Sequence, residues 1–225
     1  MREHPSEPVL DHVVLAARRH EDIDEQLAEL GLTAGSGRVI PGAGLSNVVV
    51  AIGSQLLEIH YPDGSPVAEG APPYASLQRK ALAANPGTTL APVAWVVRYG
   101  TEDALRAASE RAGYPVVAVP AEPPNNAPYL MGAFGAAFDR PWLPMFIHWT
   151  NAPHMPPTLA DDHGRKPNAG WLGLDVSAPD DAILGWCGGE PAGVRVESGN
   201  AGPLRVWLHR DGAEPKAIGL PPTIR

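Results

Sequence analysis

Cysteine is nearly absent from this chain. Cys187 is the only one among 225 residues, which excludes an intrachain disulfide and any zinc site built on cysteines. That usage fits a reducing cytoplasm. Basic clusters are missing too. No run of Lys and Arg exceeds Arg18-Arg19 or Arg165-Lys166, and 25 acidic against 17 basic side chains leave a formal charge of −8. A nucleic-acid backbone needs several cations on one face, and so does an anionic lipid surface, so neither is an expected partner. No stretch of about 18 apolar residues occurs, which excludes a membrane-spanning helix. The first eight residues carry no apolar signal core. Long unbroken helical sequence is scarce as well. The chain holds 24 Gly and 26 Pro, about 22% of its length against a usual ~12%. Punctuation at that density disfavours coiled coils, helical bundles and long solenoids.

What is present is a series of short apolar runs, too frequent for a disordered chain. Leu10 to Ala17 alternates as a strand, with Leu10, His12, Val14 and Ala16 on one face. Glu21 to Leu30 reads as a helix: Ile23, Leu27 and Leu30 recur at helical spacing, acids crowd the first turn, and Gly31 stops it. Short strands follow at Arg38–Ile40, Val48–Ile52 and Gln55–Tyr61, the last with Leu56, Glu58 and His60 on one face. After a connector with a short helix at Ala75–Ala84, the pattern restarts. Val93–Tyr99 is a strand, Glu102–Ala112 a helix stopped by Gly113, Pro115–Val119 a strand, residues 129–138 weakly strand-like, and Met145–Thr150 a strand. The end of that unit, Ile147-His148-Trp149, echoes Ile59-His60-Tyr61. A duplicated β-α-β-β-β unit is the simplest account. The expected organisation is a first module at 9–62, a connector at 63–91, a second module at 92–150, and a loop and β-rich extension at 151–225. In the extension, Gly193–Glu197 and Leu204–His209 read as a hairpin. This last part is either a degenerate third copy or strands that complete the second copy's sheet.

Several fragments together resemble the glyoxalase-like branch of the vicinal oxygen chelate superfamily. They are Leu-Asp-His-Val-Val-Leu-Ala (10–16), Glu-Leu-Gly-Leu (29–32), Gly-Ser-Gly-Arg (35–38), Gly-Ala-Gly-Leu-Ser-Asn (42–47) and Leu-Leu-Glu-Ile (56–59). Pro-Met-Phe-Ile-His-Trp (144–149) and Leu-Gly-Leu-Asp-Val (172–176) extend the resemblance over nearly the whole chain. It implies an α+β fold of paired β-α-β-β-β modules with curled mixed sheets around a cleft, pairing within one chain or across a homodimer. In metal-holding members the first strand of a module supplies a His and the last a Glu, which puts His12 and Glu58 at those positions. The second module departs from the pattern. Trp95 stands where His12 would repeat, and Phe146 where Glu58 would, unless a two-residue slip brings His148 there. Val39 stands nearest the loop position where the branch often carries another His.

Two readings follow. In the first, a divalent metal (Zn, Ni, Fe or Mn) held by His12, Glu58 and His148 chelates two neighbouring oxygens of a small substrate. Glu58 or His148 then shuttles a proton, in lyase or isomerase chemistry. In the second, the same fold without metal binds or sequesters a small molecule, a reading favoured by Trp95 and Phe146. His60, Asn47, Trp95 and Arg165 are the candidate substrate contacts, Arg165 because a guanidinium suits a carboxylate. Nucleophilic catalysis has no support, since Cys187 has no basic neighbour in sequence and no Gly-x-Ser-x-Gly elbow occurs.

Overall fold

The computed structural model describes residues 7–35, 37–120, 128–150 and 168–219. The first unit runs β1 (Val9–Ala17), α1 (His20–Leu30), β2 (Val39–Ile40), β3 (Ala43–Ile52) and β4 (Gln55–Val67). Helix α1 forms as its spacing predicts. Ile23, Leu27 and Leu30 are buried, each worth about 1.5–3 kcal/mol, and Gly31 ends the helix in the left-handed conformation at φ 64°. α2 (Tyr74–Ala84) follows. The second unit is β5 (Leu90–Arg98), α3 (Glu102–Ala112), β6 (Val117–Val119), β7 (Tyr129–Gly132), the single turn α4 (Ala136–Asp139) and β8 (Met145–Trp149). Thr101 caps α3 by accepting a hydrogen bond from the Ala104 N–H at 3.2 Å.

Eight strands form one curled sheet in the order β2-β3-β4-β1-β5-β8-β7-β6. In each half the first strand lies parallel to the last, β1 beside β4 and β5 beside β8. The antiparallel contact of β1 with β5 joins the halves within one chain. The tail forms β9 (Trp171–Ala178), α5 (Ala182–Cys187), β10 (Val194–Ser198), β11 (Gly202–His209) and β12 (Lys216–Ile218). These strands make a separate sheet, β10-β9-β11-β12. The tail is β-rich, as expected, but its strands do not complete the second unit's sheet. β10 and β11 are not a hairpin pair, because both pair with β9, one parallel and one antiparallel. Nor is the tail a third copy, since its first strand lies parallel to the strand directly after the helix.

The two faces of the large sheet have different fates. On the outer face Val13, Leu15, Trp95 and Phe146 pack with α1, α3 and the inner face of the tail sheet, including Leu174, Val176, Val206 and Leu208. On the concave face Val14, Ala94, Val96, Met145 and Ile147 form a smaller apolar lining. α2 lies across one end of that face, with Leu82 against Ala16, Ala91 and Val93. A cleft remains beside it.

Candidate functional site

A bulge in β1 builds the floor of the cleft. Leu10 pairs with Val97 and His12 with Val96, so the register slips at Asp11. Leu10 and Val13 both enter the outer core, while Asp11 and His12 both serve the concave side. Bulges re-aim side chains in this way beside functional sites. Asp11 Oδ1 lies 2.7 Å from His12 Nδ1, and Asp11 Oδ2 accepts from Trp149 Nε1 at 3.1 Å. Arg98 stands 3.6 Å from the same Oδ2. With Nδ1 committed to Asp11, His12 turns Nε2 into the cleft.

Glu58 comes from β4, on the same concave face as Leu56 and His60. Its Oε1 accepts from Asn47 Nδ2 at 2.6 Å and pairs with His60 Nε2 at 2.9 Å. Gln78 of α2 reaches the other ring nitrogen, its Nε2 standing 2.7 Å from His60 Nδ1. His60 is thereby held between Glu58 and the Gln78 amide through its two ring nitrogens. The remaining carboxylate oxygen, Oε2, faces His12 Nε2 across 4.0 Å, and the Glu58 side chain is 24% exposed into the cleft.

The charges are held accordingly. Burial by itself would raise the Glu58 pKa, but the charge and hydrogen bond of His60, the charge of His12 and the Asn47 bond hold it far below the usual carboxylate range. Burial works against a charge on His12, yet the hydrogen bond and charge of Asp11, with the charge of Glu58, leave its pKa raised. The site therefore sets an imidazole of raised pKa opposite a carboxylate held in its charged form. Around them the cavity, of about 310 Å³, is lined by apolar side chains such as Val14, Ile40, Met131, Phe134 and Met145, with Arg38 and Tyr74 among the polar ones. Burial and the charge of Glu58 push the Tyr74 phenol up.

His12, Glu58, His60 and Asn47 thus meet. Trp95 and His148 do not join them. Trp95 is fully buried in the outer core, because the odd-numbered residues of β5 at that point face the tail sheet. His148 shares the outward parity of Phe146, and its Nδ1 lies 3.0 Å from the Tyr99 carbonyl oxygen. A slip of two residues keeps a strand side chain on the same face, so it cannot carry His148 into the cleft. Arg165 lies outside the described residues. Asn168, which closes that stretch of sequence, ties Thr33 and Ala51 together through its amide. Asp11, Gln78 and Arg38 were not singled out in the sequence. Asp11 sits next to His12, but strict alternation assigns it to the other face.

Could these residues hold a divalent metal? His12 Nε2 and Glu58 Oε2 are separated by about the sum of two zinc–ligand bonds of ~2.0–2.2 Å, which suits a nearly collinear rather than a tetrahedral arrangement. His60 has both nitrogens engaged. The concave positions of the second half, Ala94, Val96, Met145 and Ile147, offer no donor comparable with an imidazole or carboxylate. Among the described residues no three His, Cys, Asp or Glu side chains form a metal-holding group. The described donor set does not fit a resident cation.

The glyoxalase-like domain family model matches residues 10–183. The chain belongs to the glyoxalase-like domain family. Among solved structures, a hypothetical protein from Staphylococcus aureus is 11% identical, with a TM-score of 0.54 over 91% of this chain and 82% of that one. A methylmalonyl-CoA epimerase from Mycobacterium tuberculosis is 16% identical, covering 62% of this chain and 85% of its own, with a TM-score of 0.41. A methylmalonyl-CoA epimerase in complex with methylmalonyl-CoA and NH4+ is 12% identical, covering 66% of this chain and 99% of its own, with a TM-score of 0.42. The likeness to the Staphylococcus aureus protein concerns the fold. No curated protein matches the sequence. Among the described residues no helix is long and apolar enough to cross a membrane.

Proposed function

We propose that the cleft binds a small, mostly apolar molecule that presents a carbonyl or hydroxyl oxygen to His12 and Glu58. The observation that carries this reading is the pair at the cleft floor: one imidazole edge and one carboxylate oxygen, 4.0 Å apart and too far for a hydrogen bond between them, each locked from behind. Preorganised polar groups at the end of an apolar cavity are how small-molecule sites fix orientation. The cavity volume of about 310 Å³ lies at the lower end of the range for such sites.

The same pair supports proton transfer of the isomerase or lyase kind. His12 can give a proton to a ligand oxygen while Glu58 Oε2 accepts one from the neighbouring atom. Asp11 keeps His12 in the required orientation, as carboxylate partners of histidines do.

The test has two arms. Thermal-shift screening with small aliphatic and aryl ketones and alcohols should find stabilising ligands whose effect is lost in Glu58→Gln and His12→Gln but kept in His148→Ala. Ligands that bind all variants equally would refute the site. Bound ketones should then exchange their α-hydrogens for deuterium only while Glu58 is intact. Elemental analysis of tag-free protein should find well under one metal per chain; a stoichiometric metal would replace proton transfer with metal chemistry.

A further inference from the structure

The geometry points to an anion-binding end of this cleft at Arg38, which makes the ligand a small carboxylic acid bound with its carboxylate on Arg38 and its carbonyl or hydroxyl on His12 and Glu58. The inference rests on the cleft being the binding site proposed above.

Among the described residues Arg38 is the only Lys or Arg that lines the cavity. Its guanidinium has no ion pair or hydrogen bond to any described residue, whereas Arg19, Arg98, Arg106 and Arg195 each pair with a carboxylate. It is half-buried beside an apolar lining, a setting in which a bare cation gains most from an anionic partner. Its field reaches the cleft, for it opposes the upward shift of the Tyr74 phenol.

The backbone that carries Arg38 is tied to the catalytic end. The Arg38 N–H donates to Asn47 Oδ1 at 2.8 Å, and the Asn47 N–H returns a bond to the Arg38 carbonyl at 2.9 Å. The amide nitrogen of the same Asn47 side chain donates to Glu58 Oε1 at 2.6 Å. One side chain therefore sets the position of both the cation's peptide and the carboxylate. Charge dictates the direction of binding. His12 at the floor already faces the ionised Glu58, which repels a carboxylate at that end, so an acid enters with its charge toward Arg38. The apolar body then lies along Ile40, Met131 and Met145, and a neutral oxygen reaches the floor.

The probes are benzoylpropionate, which has a ketone, an apolar ring and a terminal carboxylate, and its uncharged amide. Calorimetric titration should show the acid binding wild type about tenfold tighter than the amide, the difference a charge-assisted contact supplies. In Arg38→Met the preference should vanish while the melting temperature stays at its wild-type value, and Arg38→Lys should keep part of the preference. Equal binding of acid and amide to wild type, or a preference that survives Arg38→Met, overturns the assignment of Arg38 alone. Binding that is absent for both probes, or unmoved by Glu58→Gln and His12→Gln, overturns the cleft reading and this inference with it.

Discussion

At the scale of single residues the site is a line of hydrogen bonds that leaves two atoms free. Asp11 holds His12, and Asn47 and His60 hold Glu58. The pKa shifts turn this into a pH prediction. Glu58 is lowered in the folded state, so its stabilising contribution is complete above its unfolded value of about 4.3 and is lost as pH falls toward its folded value. His12 is raised, so its contribution is complete below about 6.5 and is lost as pH rises through its folded value. The cluster should stabilise the fold most between those two pH values. In urea unfolding followed across pH, the stability gap between wild type and Glu58→Gln should peak in that window and narrow on both sides. A gap independent of pH would contradict the assignment of charges.

At the scale of elements, α2 does more than bridge the two units. It packs Leu82 on the concave face and brings Gln78 to His60. Gln78→Leu would leave a buried imidazole nitrogen without its partner, at a cost of about 1–3 kcal/mol. Chemical denaturation should read that loss, and nitrogen NMR should show a shifted His60 ring signal. A variant with wild-type stability and an unchanged ring signal would show that Gln78 does not hold His60. A simpler case is α3, whose end is capped by Thr101. Thr101→Ala should lower stability by about 1 kcal/mol and leave ligand binding at the cleft unchanged, because α3 packs on the opposite face of the sheet.

At the scale of the whole molecule, the tail sheet completes the outer core. Leu174, Val176, Val206 and Leu208 share one buried cluster with Val13, Trp95 and Phe146. Each such side chain contributes about 1.5–3 kcal/mol, so together they rival the ~5–15 kcal/mol that a domain has in total. A chain ending at residue 150 should therefore fail to fold cooperatively. Near-ultraviolet circular dichroism should lose its native signal and thermal unfolding its sharp transition. A cooperative transition in the shortened chain would show that the two β-α-β-β-β units are self-sufficient.

Local pattern carried much of this protein in readable form. The apolar periods of β1, α1, β4 and α3, and the glycines that end the helices, are properties of neighbouring residues, and the repeated order of these elements follows from them. Strand alternation likewise put Glu58 and His60 on one face. Three outcomes required the tertiary structure. The bulge at Asp11 breaks alternation, and a single extra residue in a strand is set by its partner strand rather than by its own sequence. Trp95 and His148 face away from the cleft because the covered side of β5 and β8 depends on where the tail sheet docks, and that contact joins residues far apart in the chain. Gln78 and Arg38 reach the site from a connector and from the position just before the short edge strand β2, segments whose own composition does not say which surface they will meet. The sequence alone determined which short elements form and in what repeated order; only long-range packing decided which of their side chains share the cleft.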